Sequence, residues 1–387
     1  ASYKKYRLLS PQERLVKNYE KDGLVLFLGA GVSVGSGIPG WKALAETVLL
    51  ESELPKDEID AVKEWPYITQ FELARLRLEE MGKSREFFVK AIYNGLYPES
   101  LRESELKNVP KEYAAQARWG GWPAICQLLH KNKTLSAVGD LLINDRATSP
   151  KHNPQIQAVL TFNADNLLEL YCTAKTGGRR VFTQIDRASV GEHPDTIPIY
   201  HLHGALDARY ENFCRLPPDR LKGKYLELTD DLLPDLVFCE SEYYKTIANP
   251  DNAVNHTPQS FLRKLNALFI GTSLEDLNMR RWLYNSYQER VQHRTRYLRE
   301  LYWQEYKDAY YEARLESRRH FWLRTETERR EETEWCVPKK PVELVMRNLG
   351  VEVVWCENYP AVQECIRELQ QRGYDSDFGR HFAESPT

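Results

Sequence analysis

The sequence predicts an α/β fold: a parallel sheet with helices on both faces, interrupted by a helical insert. Three observations carry this. Short unbroken apolar runs, Leu24–Leu28 and Ala158–Leu160, have the pattern of strands buried on both sides. Each run ends in glycine or small polar residues, at Gly29-Ala30-Gly31 and at Thr161-Phe162-Asn163-Ala164-Asp165. Helical spacing follows each, through Trp41, Leu44, Ala45, Val48 and Leu49 and through Leu167, Leu168 and Tyr171.

Taken in order, Ser10-Pro11-Gln12-Glu13 reads as a capping box with proline at the first helical position, so a short helix precedes the first strand. Residues 51–150 show apolar positions at helical spacing around Ile68, Phe71, Leu78, Phe88, Ile92, Ile125 and Leu128. They read as a helical insert, broken at Trp119–Pro123, in a domain formed by 1–50 and 151–387. Asn166 with Glu169 repeats the capping-box pattern. Ile197–Tyr200 is a further strand running into His201-Leu202-His203-Gly204, with both histidines on one face by period two. The charged, aromatic stretch up to Arg319 predicts long helices. Arg319–Leu323 and Gly350–Trp355 predict two more strands, with helices over 341–349 and 361–369 and a tail from 372.

Composition narrows the class. A net charge of −3 gives no electrostatic case for nucleic acid or an anionic membrane surface. A mean hydropathy of −0.59 and the lack of a long apolar run argue against a membrane span. Seven cysteines without a C-x-x-C pair fit reduced thiols and a cytoplasmic setting. Ala1–Tyr6 has no apolar signal core, and the chain does not open on Met, so its first residue says nothing of what precedes it.

A glycine loop between strand and helix is an anion site, because the backbone can approach a phosphate with its N–H groups facing it. Two common versions fail on spacing. A Walker loop needs Gly-Lys-Ser/Thr, whereas Gly40 is followed by Trp41 and Lys42; a dehydrogenase fingerprint needs glycine where Val34 stands. Polar residues at the carboxyl end of a parallel strand fall in the crevice where such sheets bind ligands, which singles out Asn163 and Asp165. Helix capping is the competing reading for Asp165 and the preferred one for Asn166. An H-x-H pair could be half a metal site, but no third ligand completes it by spacing, so no metal is expected.

Five motifs in one order resemble the sirtuin family: Gly29-Ala30-Gly31-Val32-Ser33 with Gly37-Ile38-Pro39 and Trp41; Thr161–Asp165; His203-Gly204; Val237-Phe238-Cys239-Glu240; and Gly271-Thr272-Ser273-Leu274. The resemblance implies a Rossmann-like sheet, a strand at Val237–Glu240 and NAD as substrate. It implies that Asn163 positions the nicotinamide ribose and that His203 is the base. On that reading Gly29, Ala30, Gly31 and Ser33 hold the diphosphate, with Pro39 in the same loop. Thr272 and Ser273 close on the nucleotide, Asp165 orients ribose and water, and Trp41 covers the nicotinamide side or simply packs at a helix start. There are departures. Sirtuin deacylases carry two C-x-x-C pairs for structural zinc after the His-Gly, where this chain has only Cys214 between 205 and 236. Phe162 replaces a glutamine, and Gly40-Trp41-Lys42 replaces Asp-Phe-Arg. These departures resemble the divergent, zinc-free sirtuin-like proteins that hydrolyse NAD in antiviral defence. The expectation is an NADase gated by homo-oligomer assembly or by a separate activating protein, with Tyr284–Arg319 as the contact surface. Two other classes stay open: an NAD-dependent deacylase or ADP-ribosyltransferase, which would need a protein acceptor, and a non-catalytic nucleotide sensor or scaffold, which would need neither Asn163 nor His203.

Overall fold

The computed structural model describes residues 9–97, 129–148, 155–176, 181–185, 196–206, 236–248, 253–302, 305–326 and 339–383. Ile125, Leu128, Trp119–Pro123 and Cys214 lie outside them.

In chain order the elements begin with α1 (Pro11–Asp22), β1 (Leu24–Leu28) and two 3-10 turns at Ala30–Val32 and Val34–Ser36. Then come α2 (Trp41–Glu51), α3 (Lys56–Val62), α4 (Tyr67–Glu80), α5 (Arg85–Leu96) and α6 (Lys133–Thr148). The middle of the chain forms β2 (Ile156–Thr161), α7 (Leu167–Lys175), β3 (Phe182–Ile185), β4 (Ile197–His201), α8 (Glu240–Ala248) and α9 (Ala253–Lys264). The rest is β5 (Asn266–Ile270), α10 (Leu277–Tyr302), α11 (Tyr306–Glu316), β6 (His320–Thr325), α12 (Lys339–Asn348), β7 (Val351–Cys356) and α13 (Tyr359–Ala383).

The strands form one seven-stranded sheet in the order β3-β4-β2-β1-β5-β6-β7, an α/β Rossmann-like arrangement with helices around it. The β1–β5, β3–β4, β5–β6 and β6–β7 pairs are parallel. Every residue of β1, β5 and β6 is buried, as strands covered on both faces must be. The chain runs outward from β1 on one side, through β2 and β4, and returns to β5 on the other. β1 and β5 therefore flank the point where strand order reverses, and ligands of open α/β sheets bind at the carboxyl ends of such strands.

Three local expectations are corrected. The stretch at Val237–Cys239 is not a strand: the Phe238 and Cys239 amides donate to Glu242 Oε2 at 3.0 and 3.2 Å, so it serves as the entry to α8. The expected tail from 372 is helical, since α13 continues to Ala383. β3 is an addition, a four-residue edge strand of partly exposed residues without the apolar run that marks the others.

The chain divides into two compact units. The first, residues 1–29, 140–160 and 255–387, contains β1, β5, β6 and β7. At its heart the buried Glu352 carboxylate gathers three guanidiniums, from Arg14 at 3.2 Å, Arg318 at 3.4 Å and Arg347 at 3.6 Å. α10 and α11 pack through Tyr287, Val291, Leu298, Ala309 and Ala313. The side of this segment that packs inward is apolar, while Arg296, Arg299, Lys307 and Asp308 are exposed. Arg294 pairs with Glu316 and lies over the Tyr297 ring, although Tyr284, Tyr297 and Tyr311 stay exposed.

The second unit, residues 30–139 and 161–254, holds the loop after Gly29, helices α2 to α5 and the carboxyl-end loops of β2 and β4.

Candidate functional site

β2 ends at Thr161, and the next turns are fixed by its own polar atoms. Asn163 N–H donates to Thr161 Oγ1 at 3.0 Å, and Leu202 N–H donates to Thr161 O at 2.9 Å. Leu206 N–H donates to Ala164 O at 2.7 Å, which ties the loop after β4 to the loop after β2. The Tyr97 hydroxyl locks the same junction, donating to Leu206 O at 2.7 Å and accepting from Asn166 N–H at 3.2 Å.

Within this frame the Asn163 amide Nδ2 donates to Ser33 Oγ at 3.2 Å, and Ser33 Oγ donates to Asp165 Oδ1 at 2.9 Å. Asp165 also accepts from Leu167 N–H at 3.3 Å. The result is a one-directional chain, carboxylate to hydroxyl to amide, that sets the plane of the Asn163 side chain. Burial pushes the Asp165 carboxyl up to about 6; the Ser33 and Leu167 hydrogen bonds oppose this, and the Glu169 charge adds to it.

His201 holds the other side of Asn163. Its Nδ1 lies 2.9 Å from Asn163 O and its Nε2 lies 2.6 Å from Glu169 Oε1. Burial alone would lower its pKa, but Glu169 beside it, with Asn163 O and Asp165, raises it above the ordinary value. This corrects the capping-box reading. Asn166 makes no side-chain cap, because Glu169 is committed to His201 and the first-turn amide of Leu167 is met by Asp165.

His203 lies elsewhere. β4 ends at His201, so the period-two alternation does not carry His203 onto the same strand face. It sits in the following turn, partly buried, with its ring 5.0 Å from Phe162 and 6.4 Å from Trp41. Trp41 in turn packs on Phe238 at 5.4 Å and Phe71 at 6.1 Å. Trp41 is therefore both a helix-start packing residue and a wall of the site. A cavity of about 20 Å³, room for a single water, is bounded by Ala30, Pro39, Trp41, Asn163, Asp165 and Phe238, among others.

The structure thus brings Ala30, Ser33, Pro39, Trp41, Asn163, Asp165 and His203 together in the second unit. Gly31 lies in the first 3-10 turn, partly buried. Gly29, Thr272 and Ser273 belong to the first unit, at the carboxyl ends of β1 and β5. A Cβ on Gly29 would lie 2.4 Å from Gly271 O and 2.8 Å from Thr272 Cβ, so close packing of these two loops already requires glycine there. Thr272 O accepts from Trp322 Nε1 at 2.9 Å, and Ser273 is exposed.

Three supporting residues escaped the sequence reading. Asn132 clamps the glycine loop, its Nδ2 donating to Val32 O at 2.7 Å and Ser36 Oγ at 2.9 Å. No motif marks it. Tyr97 had no signal either. Glu169 was visible, but its spacing from Asn166 suggested a cap rather than a partner for His201.

Residues 157–335 match a family model described as the SIR2-like domain. That stretch includes Asn163, Asp165, His201, His203, Thr272 and Ser273, and it supports a sirtuin-like relationship and an NAD-related function. No curated protein matches the chain. Among the described residues, no group of three His, Cys, Asp or Glu could hold a metal ion, and no helix is long and apolar enough to cross a membrane.

Proposed function

We propose that the chain is an NAD glycohydrolase, converting NAD and water to nicotinamide, ADP-ribose and a proton. The observation that carries this reading is the hydrogen-bonded chain Asp165–Ser33–Asn163 at the end of β2, near His203. Nicotinamide is cationic in NAD, so the glycosidic electron pair leaves with it and no general acid is needed. The protein has to hold the ribose, stabilise an oxocarbenium-like centre and position one water.

Asn163, held through its amide by Ser33 and through its carbonyl by His201, would fix the ribose and the attacking water. His203 would take the proton as the water adds. Asp165 would act through Ser33 as a positioning residue. Ala30, Gly31 and Ser33 would face the diphosphate. The 20 Å³ cavity does not admit a nicotinamide ring, so the reading requires the Trp41 and Phe238 rings to part when NAD enters.

The missing C-x-x-C pairs favour water as the acceptor over an acyl-lysine peptide. We further propose a cytoplasmic, defence-type effector that is gated by self-association or by an activating protein, since an NADase active at all times would drain its own cell. The test is chromatography of NAD with purified protein and no acceptor. Nicotinamide and an ADP-ribose species in equal amounts support the reading, whereas turnover only with an acylated peptide replaces it with a deacylase.

A further inference from the structure

A cavity of about 810 Å³ in the first unit plays no part in the reaction above. Lys17 and Lys21 of α1, Arg263 of α9, Arg290 and Arg294 of α10, and Arg319 before β6 line it. Three acidic residues, Asp22, Glu289 and Glu316, line it too, leaving a net charge of +3. All three acids are spoken for: Glu289 forms a bidentate pair with Arg263 at 2.8 and 2.9 Å, Glu316 pairs with Arg294, and Asp22 lies 4.0 Å from the exposed Lys21.

The inner cations have no such partner. Among the described residues no carboxylate forms an ion pair with Arg290 or Arg319. Arg290 donates to Leu262 O at 2.6 Å and approaches His320 Nε2 at 3.0 Å; Arg319 donates to Asn266 Oδ1 at 2.9 Å. The histidine offers no compensation. Its Nδ1 accepts from Ala267 N–H at 3.1 Å, so in the neutral ring Nε2 carries the hydrogen and cannot accept from the guanidinium. Protonation is opposed as well, because burial and the charges of Arg290 and Arg319 hold His320 well below the usual histidine range. Two neighbouring guanidiniums facing a large cavity, neither of them paired with a carboxylate among the described residues, are an arrangement that an anion relieves.

The place is also distinct. Asp22 and Asn266 stand at the amino ends of β1 and β5, while Gly29 and Thr272 follow the carboxyl ends of the same five-residue strands, about 16 Å along them. The volume falls in the range of small-molecule sites. The lining carries one imidazole, His293, and no Phe, Tyr or Trp ring for a base to stack on, so recognition would fall mainly on the anionic groups.

We propose that this cavity is a second ligand site, for a small molecule bearing a chain of two or three phosphates, with Arg290 and Arg319 as its inner anchors and Lys21 at its rim. Planar guanidiniums bind phosphate oxygens in pairs, which suits a polyphosphate better than a single carboxylate.

Isothermal titration of the full chain with ATP and with inorganic tripolyphosphate, at about 0.1 M salt where contacts within 10 Å still count, tests this without any need for NAD turnover. One saturable site per chain is expected for each probe. Arg319→Gln and Lys21→Glu should each weaken it at least tenfold, with thermal midpoints near that of the unaltered chain. Lys21 is exposed, so its variant keeps the test sound if Arg319→Gln folds poorly. Equal affinities mean that the phosphates alone are read, and tighter ATP means that the nucleoside adds contacts; both support the site. No saturable binding up to about 1 mM of either probe, or binding unchanged in both variants, overturns it.

Discussion

Replacing Asp165 by Asn tests the buried polar chain most sharply, because the two residues have nearly the same shape and the amide cannot ionise. The amide oxygen can still accept from Ser33 Oγ and Leu167 N–H, so the geometry survives while the charge does not. Burial raises the Asp165 pKa from 3.8 to about 6. Between those values the folded protein binds more protons at this site than the unfolded chain, so stability falls as the pH rises across the window. A difference of about two pKa units corresponds to ~3 kcal/mol, fully developed above pH 6. Asp165→Asn lacks this titration. Urea unfolding followed by tryptophan fluorescence, for both proteins from pH 4 to 7.5, isolates it, since other groups cancel in the difference. The variant should gain ~3 kcal/mol relative to the unaltered chain over that range. Parallel curves, or a relative loss by the variant as pH rises, would refute the assignment of a carboxyl whose ionisation burial opposes.

His203→Ala and Asn163→Ala should each lower NAD turnover by ~10²–10⁴, the usual loss of a positioned base or of orientation, with unchanged unfolding midpoints. Turnover near that of the unaltered enzyme, at matched folding, removes the residue from the proposed machinery. His201→Gln behaves differently. Because folding raises the His201 pKa, its contribution is full below about pH 6.5 and is lost as pH rises through the higher folded value, so the variant's stability deficit should shrink on going alkaline. A deficit that does not change with pH would mean that the ring is not protonated beside Glu169. Glu352→Ala removes the buried carboxylate shared by Arg14, Arg318 and Arg347, of which Arg347 keeps Glu343 at 3.2 Å, and should cost ~3–5 kcal/mol in urea unfolding, while a cost under ~1 kcal/mol would show that water already screens the cluster.

Much of the sheet was legible because β1, β2, β4, β6 and β7 carry short, largely apolar stretches bounded by turn residues, whereas β5 was marked only by the Gly271–Leu274 motif at its end. β3 was not, since an edge strand of Phe-Thr-Gln-Ile has no continuous apolar signal. Val237–Cys239 misled because the Phe238 and Cys239 amides are met by the nearby Glu242 carboxylate and the Val237 amide by His203 O in the turn after β4, with no strand ladder. In the candidate site, the resemblance grouped Ser33, Asn163, Asp165 and His203, and the structure holds these four in one unit. Spacing could not separate the roles of the two histidines. One residue beyond the end of β4, backbone alternation ceases to predict direction, and His201 turns to Glu169 while His203 meets Phe162 and Trp41. Asn132 and Tyr97 hold loops 69 to 109 residues away in sequence, contacts that only the folded chain reveals.

The central claim is that this chain hydrolyses NAD with water as acceptor. Purified protein incubated with NAD alone, with products separated by chromatography over time and across protein concentrations, tests it most directly. The expected result is nicotinamide and an ADP-ribose species in equal amounts, with activity per molecule rising with concentration or with an activating partner, and abolished by Asn163→Ala. Intact NAD at every concentration, together with turnover once an acylated peptide is supplied, would contradict the account.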